Sequence, residues 1–146
     1  MAKAFTVDIN QLTQLQKRVQ DMEKGLQQRV RNVVIAEMQE AANDAKKAAP
    51  VYGGDRYRGG TLRGSIGPLP PGDVIGIIAQ VKYGAFVEFG TGSGVQVPTI
   101  LNETAAQFKG RGLRNNNMRA RPYLYPAFFA AVDRIKKMLP KIILNR

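Results

Sequence analysis

Glu88 is the only acid in Val81-Lys-Tyr-Gly-Ala-Phe-Val-Glu-Phe-Gly-Thr-Gly92, held between Phe86 and Phe89 and followed at once by a glycine-rich turn. Two chemistries suit such a carboxylate. It can act as a general acid beside a phosphate cradle, or it can fix a backbone corner by accepting hydrogen bonds. The acid role needs a second group. Asp55, Asp73 and Glu103 are the nearest acids in sequence, and none stands at a catalytic-pair spacing from Glu88. A carboxylate hydrolase using Glu88 with Asp55 or Asp73 is therefore a weak rival.

The chain has no histidine and no cysteine, so the commonest general base and metal ligand is missing and no thiolate metal site can form. Gly90-Thr-Gly-Ser-Gly94 lacks the Lys-Ser/Thr ending of a phosphate loop, and no amphipathic helix follows it directly. Gly59-Gly-Thr-Leu-Arg-Gly64 has no preceding strand, so a dinucleotide site is not expected either. The reading is non-enzymatic, with no catalytic residue, cofactor or metal. Phe86, Glu88 and Gly90 would share one strand face and Ala85, Val87 and Phe89 the other. Glu88 is then expected on the less buried face, accepting a hydrogen bond or pairing with an Arg of the 56–63 loop.

A long helix is predicted before this stretch. Leu12, Leu15, Val19, Met22, Leu26, Val30 and Val33 follow at steps of three and four, and the stripe continues through Met38, Ala41, Ala45 and Ala48 to Pro50. Gly25 is its weak point. A helix of roughly forty residues spans about 60 Å, more than a domain of this size is wide. Its stripe must find cover on its own sheet or, at the overhanging end, on a neighbouring copy. Residues 4–9 alternate like a short strand. Ser65-Ile66 opens a β region that Pro68, Pro70 and Pro71 break. Residues 74–83 read as a strong strand, hairpin-paired with a second at 85–89, and 95–101 as a short third. A final helix follows Pro122 and Pro126, with Phe128, Val132, Ile135 and Leu139 inward and Pro140 at its end. The expected fold class is α+β: a long N-terminal and a shorter C-terminal helix on a small, mostly antiparallel sheet. At 146 residues this is a single domain, 1–146, with extended arms at 52–64 and 102–121.

Charge is unevenly placed. Residues 1–50 carry eight basic and six acidic groups, whereas 106–146 carry ten basic groups and one acid, Asp133. An acidic partner is implied, either nucleic acid or an acidic protein surface. The run Lys109 to Arg121 has five cations and no acid, which suits phosphate contacts. It also has no Phe, Tyr or Trp for base stacking, so a nucleic-acid-binding module stands as the alternative reading. No leader is visible after Met1 and no apolar run is long enough for a membrane span, so no membrane partner and a soluble protein made in a cytoplasm are expected.

The order of motifs is more specific than any one of them. Ala48-Ala-Pro-Val51 ends the long helix, Gly60-Thr-Leu-Arg-Gly-Ser-Ile66 follows a glycine loop, and Tyr83-Gly-Ala-Phe-Val-Glu-Phe-Gly-Thr-Gly92 closes the β region. Ala120-Arg-Pro-Tyr-Leu-Tyr-Pro-Ala127 opens the last helix. The arrangement resembles the gene-product-ten-like family of minor tail proteins of long-tailed phages, described as tail-completion or head–tail joining (neck) components. Two departures stand out: Tyr52 to Gly59 interrupt the family's compact Ala-Pro-Val-Asp-Thr-Gly loop, and a long insertion separates Gly92 from Arg121.

The resemblance implies a virion protein of the tail or neck, made in the host cytoplasm and encoded by a phage or prophage. It would assemble as a ring, a hexamer to match the tail. Its partners would be itself, the tail terminator or tail tube, the head connector and, in the channel, phage DNA. Subunit contacts are expected from Arg56, Arg58, Arg63, Arg111, Arg114, Arg119 and Arg121 on the arms. Glu88, Gly90 and Gly92 are expected to form a structural corner.

Overall fold

A computed structural model describes residues 9–51, 59–70, 72–92, 97–106 and 117–144. Helix α1, Ile9–Ala48, has 40 residues and is about 60 Å long. It stops before Pro50, whose ring disfavours a helical residue ahead of it. A single helical turn, α2 (Thr61–Gly64), leads into β1 (Ile66–Pro68), which pairs antiparallel with β2 (Ile77–Ala79). The register sets Ile66 opposite Ala79 and Pro68 opposite Ile77. Two further bonds extend the ladder, Gln80 N–H to Ser65 O at 3.2 Å and Leu69 N–H to Gly76 O at 2.9 Å. After β2 come α3 (Gly84–Phe89), a 3-10 turn at Thr99–Leu101 with α4 (Asn102–Ala106), and finally α5 (Leu124–Leu144).

The architecture is α+β: α1 and α5 pack against each other and against the two-stranded sheet. The core lies in two clusters along α1. Ala42, Ala45 and Ala49 meet Leu62, Ile66, Tyr123 and Ala127; one to two turns earlier, Met38 and Ala41 meet Ala131 and Ile135. Since Ala127 lies by the end of α1 and Ile135 by its middle, the two helices run antiparallel. Ala41, Ala45 and Ala131 have no exposed surface, so the seam between the helices is made of the smallest side chains. Ile77 packs against both clusters and joins the sheet to the helix pair. Across the seam, Arg134 Nε donates to Glu37 Oε2 at 2.7 Å, which raises the guanidinium's pKa further. Among the described residues Arg134 Nη2 has no hydrogen-bond partner, but it lies 3.9 Å from Asp44 Oδ2, close enough for charge attraction.

Several elements differ from the expectation. Residues 85–89 are helical, not a strand. Phe86 and Val87 N–H close onto Tyr83 O at 3.1 and 3.2 Å, and Gly90 N–H onto Phe86 O at 2.9 Å. A short apolar run fits either period, and here the buried Gly84 and Glu88 follow the helical step of four. The strand expected over 74–83 is confined to Ile77–Ala79, and its hairpin partner is Ile66–Pro68, across the proline-rich link. Where a third strand was expected, Thr99–Leu101 form a 3-10 turn running into α4, while residues 95 and 96 lie outside the described residues. The 52–64 segment closes with the helical turn α2, and 102–121 opens with α4.

Pro140 does not end α5, which continues to Leu144. Leu139, just before it, packs on the cluster of Met38, Ala41, Ala131 and Ile135, so the helix is held against α1 next to a residue that lacks an N–H. The strand expected at 4–9 lies outside the described residues, apart from Ile9, which is already helical.

Candidate functional site

Tyr83 to Gly92 and Met118 to Tyr125 meet as one unit. Turn α3 ends at Gly90 with φ 77° and ψ −173°, and Gly92 has φ 56°. Both are left-handed values that side chains resist, so the chain doubles back here because both residues are glycine. The returning segment is fastened to this corner by backbone and side chain alike. Thr91 N–H donates to Met118 O and Met118 N–H to Thr91 Oγ1, both at 2.9 Å; Arg121 N–H donates to Val87 O at 2.9 Å.

Glu88 sits at the centre and is 3 % exposed. Its Oε2 accepts the N–H groups of Tyr123 and Leu124 at 2.9 Å each, and its Oε1 that of Tyr125 at 2.8 Å. These donors open α5, where helix geometry leaves N–H groups without intrahelical acceptors. The negative charge also faces the positive end of the helix dipole. Glu88 therefore lies on a buried face rather than the expected less buried one, and its observed partners are backbone N–H groups rather than an arginine. The Tyr123 hydroxyl donates to Gly84 O at 3.2 Å and closes the unit. Burial, reinforced by the charges of Glu88 and Tyr83, raises the Tyr123 phenol well above its ordinary 10.0. Burial and then Glu88 shift Tyr125 upward in the same way.

Two cavities flank this unit. One of about 370 Å³ is apolar, walled by Ile78, Leu101, Phe128 and Phe129, with Glu88 and Tyr125 at its edge. The other, of about 400 Å³, runs between Gly59-Gly60-Thr61-Leu62 and Met118-Arg119, with Tyr83, Val87 and Arg121 along it. No second acid lines either cavity among the described residues, and Asp73 and Glu103 are exposed elsewhere. Among the described residues, no cluster of three acidic, His or Cys side chains is placed to hold a metal ion, and no helix is long and apolar enough to cross a membrane.

Of the arginines singled out from the sequence, the second cavity brings together Arg119 and Arg121, both exposed on its rim. Arg63 is exposed just beyond, and its Nη2 donates to Ala49 O at 3.3 Å, stitching α2 to the end of α1. Arg56, Arg58, Arg111 and Arg114 lie outside the described residues. Sequence reasoning missed Tyr123 and Thr91 as fastening residues. The signal for Tyr123 was Arg121-Pro-Tyr-Leu-Tyr-Pro126: two prolines bracketing a helix start mark N–H groups that need an outside acceptor.

Residues 13–90 match the family model described as "Bacteriophage HK97-gp10, putative tail-component". The match covers 78 of 146 residues (90 − 13 + 1), more than half, running from the first turns of α1 to the glycine after Phe89. It leaves out the cationic 109–121 segment and α5. No curated protein and no solved structure matches the chain significantly.

Proposed function

This chain belongs to the HK97-gp10-like family of bacteriophage tail components, and from that membership we propose that it is a structural, non-enzymatic protein of the tail–head junction that works as a ring. One observation carries the reading. The described ends of the two arms, far apart in sequence, meet at a single groove: Gly59 to Leu62 form one bank, and Met118, Arg119 and Arg121 the other. Arg119 and Arg121 stand exposed on its rim, and neither has an acidic partner among the described residues. A groove with apolar walls and a cationic rim suits an extended segment bearing acidic and apolar side chains, supplied by a neighbouring subunit or partner ring. Filled by a different segment of the next subunit, such a groove makes a heterologous contact, the kind that closes rings.

The non-enzymatic part rests on Glu88, whose carboxylate already accepts three backbone N–H groups. Together with Gly90 and Gly92 it serves as the structural corner that presents the groove. Sixfold symmetry, a place between tail terminator or tail tube and head connector, and assembly in the host cytoplasm before incorporation into the virion complete the proposal.

Light scattering of the full chain, alone and mixed with tail-tube and connector proteins, tests it. A ring-sized species is expected, and Arg119→Glu with Arg121→Glu should dissolve it while leaving the melting temperature unchanged. A strict monomer in every mixture overturns the ring. A DNA titration across salt separates the alternative: a steep fall in affinity with salt, abolished by the same double substitution, would assign the arginines to phosphate instead.

A further inference from the structure

Among the described residues, α1 is barely covered between Gln16 and Gly25. Every residue from Gln16 to Gly25 is exposed, and Val19 and Met22 each keep 56 % of their surface. At the end of α5, Ile143 shares a cavity of about 260 Å³ with Met22 and Leu26. Ile143 and Leu144 are themselves exposed, so they extend the apolar surface rather than bury it.

In sequence, the start of α1 has the pattern of a coiled-coil seam. Leu12, Leu15, Val19, Met22 and Leu26 follow at three, four, three and four residues, the a and d positions of successive heptads. That spacing puts Gln11, Arg18 and Gly25 at g and Gln16 and Glu23 at e, the positions that flank the seam and select the partner. In a parallel pair, a g residue of one helix meets the e residue five places later in the other. Arg18 of each copy then faces Glu23 of the other. An antiparallel pair sets g against g and e against e, where this sequence offers no pairing of opposite charges.

We infer that the free end of α1 is a self-association surface that takes the same segment of a second copy in a parallel coiled coil. The charge match selects this occupant, since each helix supplies both members of the Arg18–Glu23 pair. Around a ring of parallel helices every neighbour makes the same contact, so the device serves any closed symmetry. The inference shares the premise of self-association with the ring proposed above, but its contact involves neither arm.

The absence of cysteine from the chain makes the test clean. Full-length Val19→Cys should form a disulfide-linked dimer under mild oxidation, because a positions face each other only in a parallel pair. Lys17→Cys, at the outward f position, should not. Arg18→Glu and Glu23→Arg should each raise the concentration for half-association, by roughly two- to fivefold per lost pair, and the double exchange Arg18→Glu/Glu23→Arg should restore it. The inference is overturned if Val19→Cys cross-links no faster than Lys17→Cys, or if the double exchange behaves no better than the single ones. If the wild type is still ring-sized by light scattering when that happens, the ring stands and the coil falls; a monomer throughout removes both.

Discussion

Glu88 Oε2 lies 2.9 Å from Tyr123 N, across 35 residues of sequence, and through this contact the α3 corner holds the first turn of α5. The buried carboxylate accepts three N–H groups in all, so removing its charge weakens three charge-assisted bonds together. Glu88→Gln keeps the shape, but its amide must turn an N–H₂ toward backbone donors. A loss of about 2 kcal/mol is expected, or on the order of 6 °C in melting temperature. Glu88→Ala should cost more, because it leaves buried donors with no acceptor. Thermal unfolding by circular dichroism measures both. A Glu88→Gln protein as stable as wild type would contradict the structural role and reopen a chemical one.

Tyr123 links the same corner to pH. In the unfolded chain its phenol ionises near its ordinary 10.0, whereas in the fold burial and the neighbouring charges of Glu88 and Tyr83 hold the proton on to a higher pH. A pKa raised by folding contributes stability that is complete below the unfolded value and is lost as pH climbs toward the folded one. Tyr123→Phe lacks this titration and also lacks the hydroxyl bond to Gly84 O. Near neutral pH the variant should be less stable by about 1 kcal/mol. Above about pH 10 the wild-type advantage should shrink, by up to roughly 1.4 kcal/mol per pH unit. Urea midpoints of the two proteins from neutral to alkaline pH test this; curves that stay parallel would exclude Tyr123 as the source.

Gly84 tests how closely Tyr123 is seated. A Cβ built at Gly84 would stand 2.9 Å from the Tyr123 hydroxyl, with Val81 and Ala79 side chains at 3.4 and 3.5 Å. Inside a helical turn Gly→Ala ordinarily stabilises by up to about 1 kcal/mol. Here the contact should reverse the sign, with a net loss of roughly 1 kcal/mol. Much of that loss should vanish when Gly84→Ala is made in the Tyr123→Phe background, where the opposing oxygen is gone. A double-mutant cycle reads the coupling directly, and strict additivity would count against the contact.

The legible parts of this fold were those whose signals are local. Pro50 stops α1, Pro122 and Pro126 announce α5, and Phe128, Val132, Ile135 and Leu139 give its inward face. The glycines at 90 and 92 stand out in the sequence, and both take positive φ values. The helix at Gly84–Phe89 was not legible, since six residues rich in apolar side chains satisfy a period of two as well as one of 3.6. Nor was the partner of β2, because pairing with Ile66–Pro68 depends on a link through Pro70 and Gly72 rather than on either strand. Glu88 needed a partner by any reading, but its donors sit in a motif 35 and more residues away. No spacing rule connects two such segments; they meet only once the fold returns the chain past Thr91.

The alanine seam between α1 and α5 explains why so small a sheet suffices. Ala41, Ala45 and Ala131 are fully enclosed, and with Met38 and Ile135 they fill the contact between the two longest helices. A seam of small residues leaves no room for longer side chains, because interiors are packed to crystal-like density. Ala131→Leu would add three carbons where Met38 and Ala41 already stand, pushing α5 off α1 and dragging its first turn away from Glu88. A loss of about 2–3 kcal/mol is expected. On the outer face of the same helix, Ala130 is exposed, so Ala130→Leu should change stability by less than about 0.5 kcal/mol. Chemical denaturation of the two variants separates packing from any general effect of leucine in α5. Equal stability of both would show that the helices do not meet through this seam.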